Sequence, residues 1–215
     1  MRPSDLLDLL FPPSCGGCAR RGTRWCPGCA ASLRPAPQAT LAGLPLLAGA
    51  RLDGPFQQAI HTFKYRGRPA LGSALALPLI ASALKAELPL QALSFVPLHP
   101  DRARERGFNQ AEELANQLGR ALAIPVVAGL ARVRATAPQV GLTGRQREAN
   151  VAGAFRWVGP ASPPTATGLI DDVCTTGATL RAAADALEAA GGSVAAFLVL
   201  AVPHTLAAPL VTWPE

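Results

Sequence analysis

The chain has 215 residues, of which 49% are hydrophobic and 16% charged, with a formal net charge of +6 and a pI of 9.6. That balance excludes global disorder and suits one mid-sized domain with a small appendage. The basic surplus favours anionic partners (phosphorylated metabolites, nucleic acid or acidic membrane) without choosing among them.

The N-terminal run Leu6–Phe11 is interrupted by Asp8 and has no small-residue cleavage site before the first cysteines, so it is not read as a signal peptide. Ala195–Val202 is apolar but far shorter than a membrane span. A cytoplasmic protein is expected. In that setting cysteines serve metals more often than disulfides. Cys15-Gly16-Gly17-Cys18 and Cys26-Pro27-Gly28-Cys29 form two C-x₂-C pairs. Two thiolates at that spacing face one metal, and glycine in each knuckle lets backbone N–H groups turn toward sulfur. Four such sulfurs close a tetrahedral structural zinc site. A disulfide pairing is the competing reading. Cys174 stands apart and takes no ligand role. The segment ends in Leu33-Arg34-Pro35-Ala36-Pro37, a linker by composition. The expected division is a zinc-binding module over 1–37 and a larger domain over 38–215.

Further along, Gly54–Arg66 reads as a helix. Phe56, Ala59, Ile60 and Phe63 share one face, and Gly67 ends it. Leu93–Leu98 is a short buried strand. Asn109–Leu122 is a helix in which Asn109 and Glu112 have capping-box spacing. Ile124–Val127 is a short strand, and Thr143–Asn150 a charged helix. The clearest unit comes last: strand Ala166–Ile170, loop Asp171–Ala178, helix Thr179–Ala190, a stop at Gly191-Gly192, and strand Val194–Val202. This is a βαβ unit whose loop lies at the C-terminal end of its strand, where open parallel sheets bind ligands.

That loop carries the chemistry. Small residues around Gly177 let backbone N–H groups converge at a helix N-terminus, which suits a phosphate. Thr175, Thr176 and Thr179 add hydroxyls. There is no lysine, so it is not a P-loop of the G-x-x-x-x-G-K-[ST] type. Asp171 and Asp172, just ahead, accept hydrogen bonds from a diol and help hold magnesium. A ribose 5-phosphate satisfies both halves. The competing reading is a helix cap followed by turn chemistry.

Leu169-Ile170-Asp171-Asp172-Val173-Cys174-Thr175-Thr176-Gly177-Ala178-Thr179 resembles the signature with which type I phosphoribosyltransferases bind 5-phosphoribosyl-1-pyrophosphate (PRPP). Within that group the chain resembles the ComF family of bacterial competence proteins. The resemblance rests on Phe11-Pro12-Pro13 before the paired cysteines, Phe63-Lys64-Tyr65-Arg66-Gly67, Val96-Pro97-Leu98-His99, Arg106-Gly107-Phe108-Asn109-Gln110, and Gln139 through Asn150. It implies an α/β fold with a parallel sheet flanked by helices, a mobile loop over PRPP, and a role in natural transformation. PRPP binding then falls to Asp171, Asp172, Thr175, Thr176, Gly177, Ala178 and Thr179. Asp171 and Asp172 are also the catalytic candidates if transfer occurs.

Arg102, Arg104 and Arg106 occupy alternate positions after a predicted strand. Arginine meets phosphate oxygens with a fork of donors. The resemblance places this segment by the pyrophosphate, with Arg102 and Arg106 as contacts; a solvated turn is the alternative. Arg132, Arg134, Arg145 and Arg147 flank the turn-rich stretch Ala135–Gly144. That stretch resembles the mobile loop, although an exposed linker fits too. Lys64 is a further phosphate candidate, while His61, His99 and His204 show no ligand or triad spacing.

Two functions follow. The first is a PRPP-binding competence protein that also binds single-stranded DNA, through Arg102, Arg104, Arg106, Arg145 and Arg147, and works with competence or DNA-processing proteins. The second is a metabolic phosphoribosyltransferase acting on a nucleobase or another nitrogen acceptor. Phe56, Tyr65, Phe108 and Trp157 are the few aromatic candidates for base stacking.

Overall fold

The computed structural model describes residues 12–65, 69–134, 144–159 and 162–204, apart from the side chains of Pro69, Arg145 and Arg147. After a five-residue helix in the cysteine module (α1, Pro27–Ala31), the chain enters a hairpin of β1 (Ala39–Leu41) and β2 (Leu44–Arg51). Its two turn residues, Ala42 and Gly43, both have positive φ, 53° and 80°. This matches the turn whose twist fits paired strands. Helices α2 (Gly54–Tyr65) and α3 (Gly72–Ala86) follow, then β3 (Ala92–Phe95), α4 (Pro100–Arg106) and α5 (Gln110–Leu122). A separate antiparallel pair, β4 (Leu130–Arg132) and β5 (Phe155–Trp157), brackets α6 (Gly144–Val151). The chain closes with β6 (Thr167–Val173), α7 (Ala178–Glu188) and β7 (Val194–Val202).

The main sheet runs β1-β2-β7-β6-β3, parallel except for the β1–β2 hairpin. β7 is a continuous apolar run because it is covered on both faces. Leu198 and Leu200 enter a core shared with α2, α3 and α5. Phe197 and Val199, pointing the other way, enter a second core with α7, β4 and β5. Period-two alternation thus splits one strand between two helical layers. The expected class is the one observed: α/β, a mostly parallel sheet flanked by helices, and a cysteine cluster at the N-terminal end.

Several expected elements shift. Ile124–Val127 is reduced to a single parallel bridge between Val126 and Leu93. There the Leu93 N–H donates to the Pro125 carbonyl, and the Val127 N–H to that of Leu93, both at 2.8 Å. β3 stops at Phe95, so Val96–Leu98 forms the sheet's rim. Expected positions Arg66, Gly67 and 135–143 lie outside the described residues. No described helix is long and apolar enough to cross a membrane.

Candidate functional site

β6 runs to Val173, so Asp171 and Asp172 belong to the strand's C-terminal end rather than to the loop expected from sequence. Asp172 takes an ion pair from Lys64 at the end of α2, with Nζ 2.9 Å from Oδ1. Burial pulls the Lys64 pKa down, but Asp172, with Asp171 behind it, outweighs this and holds the lysine above its ordinary value. Asp171 accepts the Asp172 backbone N–H at 2.8 Å. Burial, followed by the neighbouring Asp172 charge, pushes the Asp171 carboxyl up to about 7.

The turn after β6 forms as the sequence requires. Gly177 sits at φ 74° as the residue before α7, and a Cβ there would lie 2.3 Å from Leu41 Cδ1. Glycine is needed for both the left-handed backbone and the close approach. The Ala178 N–H donates to Thr176 Oγ1 at 3.4 Å, and the Arg181 guanidinium ties the Thr176 carbonyl to Glu148 across 3.3 and 2.6 Å. Inside the turn is a hollow of about 20 Å³ bounded by Thr175, Thr176, Gly177, Ala178 and Thr179. It accommodates one oxygen-sized group against a helix N-terminus. Cys174 is buried, and burial followed by Asp171 pushes its thiol up to about 12, so it is inert.

A cleft of about 470 Å³ opens over the acidic pair, within the usual range for a small-molecule site. Thr175, Thr179, Arg102 and Arg106 all line it. The arginine segment, for which a solvated turn was the alternative reading, is helix α4. Its N-cap is His99, whose Nδ1 accepts the Asp101 N–H at 3.4 Å. Residues four apart share a helix face and residues two apart do not. Arg102 and Arg106 therefore line the cleft, whereas Arg104 is not among its lining residues and pairs with Asp101 on the exposed side. The side chains of Arg145 and Arg147 lie outside the described residues.

Arg106 is held from two directions. Its guanidinium stacks 4.8 Å from the Tyr65 ring centroid and donates to the Tyr65 hydroxyl at 3.3 Å. It also donates to Gln110 Oε1 at 3.0 Å. Arginine only donates, so the Gln110 amide orientation is fixed with Nε2 turned away from it. That Nε2 is buried and has no hydrogen-bond partner among the described residues. Asn109 caps α5 by accepting the Ala111 N–H at 3.0 Å, and its amide donates to the Val96 carbonyl at 3.1 Å, fixing the cleft's rim to α5.

Sequence reasoning placed Arg132 beside a mobile loop. The structure buries it on β4, over the Phe155 ring at 5.3 Å and in the cleft wall. Burial, then the like charge of Arg102, pulls its pKa below the ordinary value, while Asp171 opposes this. The only sequence signal for such a role was an arginine inside a short apolar strand.

The cysteine module converges separately. The sulfurs of Cys15, Cys18, Cys26 and Cys29 all lie within 4.8 Å of one another. The N–H groups of Cys26 and Cys29 donate to the sulfurs of Cys15 and Cys26, each at 3.4 Å. Burial raises the Cys15 thiol, but backbone N–H groups of Cys18, Cys26 and Gly17 outweigh it and bring it to about 6. Burial and the neighbouring sulfurs push Cys29 upward instead. Four cysteine sulfurs at this separation could hold one metal ion. The module rests on α2: Thr62 Oγ1 donates to the Gly16 carbonyl at 3.1 Å, and Trp25 lies 6.0 Å from Phe56.

No family model matches the chain. The DNA utilization protein YhgH of Escherichia coli (strain K12) is 36% identical over 140 residues, covering 62% of this chain and 61% of that protein. The Salmonella typhimurium protein of the same name is 35% identical over 140 residues, with the same coverage. Competence protein F of Haemophilus influenzae is 39% identical over 94 residues, 42% of this chain and 41% of that one. The chain thus spans about three fifths of the YhgH proteins it matches, 61% of their length. Among solved structures, adenine phosphoribosyltransferase from Leishmania tarentolae aligns with a TM-score of 0.39 and 16% identity, over 62% of this chain and 58% of that one.

Proposed function

We propose that this chain, a homologue of proteins named for competence and DNA utilization, binds PRPP in the cleft and handles single-stranded DNA during natural transformation. One observation carries the PRPP reading. A single cleft is lined by an acidic pair, two threonines of a helix-N-terminal turn and two arginines. PRPP has a group for each: a 5-phosphate for Thr175–Thr179, a ribose diol for Asp171 and Asp172, and a pyrophosphate for Arg102 and Arg106. Asp172 already has one oxygen on Lys64. The remaining carboxylate oxygens suit ribose hydroxyls and a hydrated magnesium that enters with the pyrophosphate.

Zinc is the metal that suits the four-cysteine cluster, because four sulfurs leave no open coordination position. Its role is structural, holding the knuckles that seat the module on α2. The module over 1–37 and the domain over 38–215 divide the work accordingly. The relatives' names supply the DNA part of the reading, and competence or DNA-processing proteins are the expected partners.

The apolar wall beside the acids, Val96, Pro97, Leu98 and Val173, favours a second reading. A flat nitrogen acceptor lying there would form a bond from nitrogen to the anomeric carbon as the bond to pyrophosphate breaks. Arg102 and Arg106 would stabilise the departing oxyanion charge. Calorimetric titration with PRPP and magnesium, followed by a pyrophosphate-release screen across nucleobases, separates the readings. Binding without release supports the competence protein, and release with one base supports the transferase. No PRPP binding removes both.

A further inference from the structure

Residues 9–52 contain five arginines and no acidic residue. Three of them, Arg20, Arg21 and Arg24, fall in the seven residues that join the two cysteine knuckles. Their backbone is fixed by the knuckle. The Cys15 N–H donates to the Arg20 carbonyl at 2.8 Å, and the Gly16 N–H to that of Arg24 at 2.9 Å. Arg21 pairs antiparallel with Ser14, and the Gly22 N–H donates to the Pro13 carbonyl at 2.8 Å. The side chains of Arg20 and Arg21 are exposed. The turn is thus a pre-ordered cationic surface, and order supplied in advance lowers the entropic cost of binding.

The arginines of α4 are placed less well for a polyanion. Arg104 pairs with Asp101, and Arg106 is held by Tyr65 and Gln110. Arg102 lines the cleft together with the acidic pair, and Glu105 stands in the same helix. A phosphate backbone meeting α4 meets that helix's own carboxylates as well; the knuckle turn carries none in its sequence. Four thiolates around a divalent cation contribute two negative charges, and the segment stays cationic. Of the turn's other residues, Ala19, Gly22 and Thr23 are not apolar enough to enter a bilayer, and Trp25 packs against Phe56 and the core. The module is seated on α2, whose His61 ring is exposed and is not among the residues lining the cleft. An exposed aromatic ring suits an unpaired base.

We infer that the arginine turn Arg20–Arg24 is the site that grips the phosphate backbone of single-stranded DNA, separate from the cleft. The inference rests on the reading that this chain handles single-stranded DNA and says where. Gly17 abuts Pro55 at the start of α2, whereas Lys64 enters the cleft at its end. Nine residues of helix separate them, about 14 Å. DNA and PRPP then bind together rather than in competition.

The test is fluorescence anisotropy of a labelled oligothymidylate across a salt series, with full-length protein whose metal content and thermal unfolding are checked. Arg20→Gln with Arg21→Gln should weaken binding about tenfold and make the log–log salt slope shallower by about 1.4, near 0.7 per lost phosphate contact. Arg102→Gln with Arg106→Gln should leave DNA affinity within about twofold, and saturating PRPP should not displace the oligonucleotide. DNA binding that survives the turn variant but fails in the cleft variant, or that PRPP displaces, overturns the inference and leaves the DNA reading standing. Wild-type protein that ignores the oligonucleotide, or binds anionic phosphatidylserine vesicles in its place, overturns both.

Discussion

Lys64 Nζ lies 2.9 Å from Asp172 Oδ1, so a residue at the end of α2 neutralises one member of an acidic pair at the end of β6. The two side chains are only 22% and 14% exposed. Removing the lysine leaves two adjacent carboxylates with much of their counter-charge gone. Lys64→Gln is expected to cost about 2 kcal/mol of stability at neutral pH. Lys64→Gln with Asp172→Asn should recover part of that loss, and a double-mutant cycle from denaturant melts measures it. Equal, additive losses would mean that the pair contributes nothing beyond its members.

Ligand binding should depend on pH through Asp171. Its folded pKa, about 7, lies well above that of a free carboxyl. The native state therefore holds a proton that the unfolded chain has already lost between about pH 4 and 7, so the empty protein loses stability as pH rises through that window. The ionised form is the one that accepts ribose hydroxyls. PRPP affinity should then rise from pH 6 to 8 by more than the ligand's own phosphate ionisation provides. Asp171→Asn should abolish that extra rise. Calorimetry on both proteins across the range provides the check.

Gly177→Ala should damage the turn for two separable reasons. A left-handed backbone costs a non-glycine residue about 1–2 kcal/mol, and the new Cβ would meet Leu41. Adding Leu41→Ala relieves the collision but not the backbone cost. Stability of Gly177→Ala should therefore improve only in part when Leu41→Ala is combined with it, after allowing for the cavity cost of Leu41→Ala alone. Complete restoration would show that the φ of 74° carries no strain.

Metal removal should act on the module before the main core. Gly16, Gly17 and Trp25 pack on α2, but the two cores flanking the sheet need nothing from the sulfurs. Purified protein should contain about one zinc per chain. A strong chelator should lower the melting temperature and expose Trp25 to solvent, shifting its fluorescence. Protein with no stoichiometric metal and fully titrating thiols would contradict this.

Much of this was legible in the sequence because local rules and tertiary context agree. The strand–turn–helix at Asp171–Thr179 is dictated by an apolar run, a glycine and a helical stripe. The cysteine cluster is dictated by spacing alone. Other parts depended on long-range packing. β1 and β2 went unread because the residues of Leu44–Arg51 do not alternate in polarity: Pro45, Leu47 and Gly49 fill half-buried positions just as Leu46, Ala48 and Ala50 fill buried ones. α3 is apolar around most of its circumference and contains Pro78, so its period was hidden. The α4 arginines looked equivalent until helical geometry separated Arg104 from Arg102 and Arg106. Arg132 entered the cleft only through a strand pairing between β4 and β5 across an intervening helix.

The central claim is that the acidic pair and the turn after it form a PRPP site, and calorimetry with one double variant tests it most directly. Wild-type protein titrated with PRPP and magnesium should bind at one site per chain. Asp171→Asn with Asp172→Asn should lower that affinity at least about a hundredfold, the loss of two charge-assisted contacts of roughly 1.5 kcal/mol each, while the circular dichroism spectrum stays unchanged. An intact double variant that binds PRPP as tightly as wild type would contradict the account.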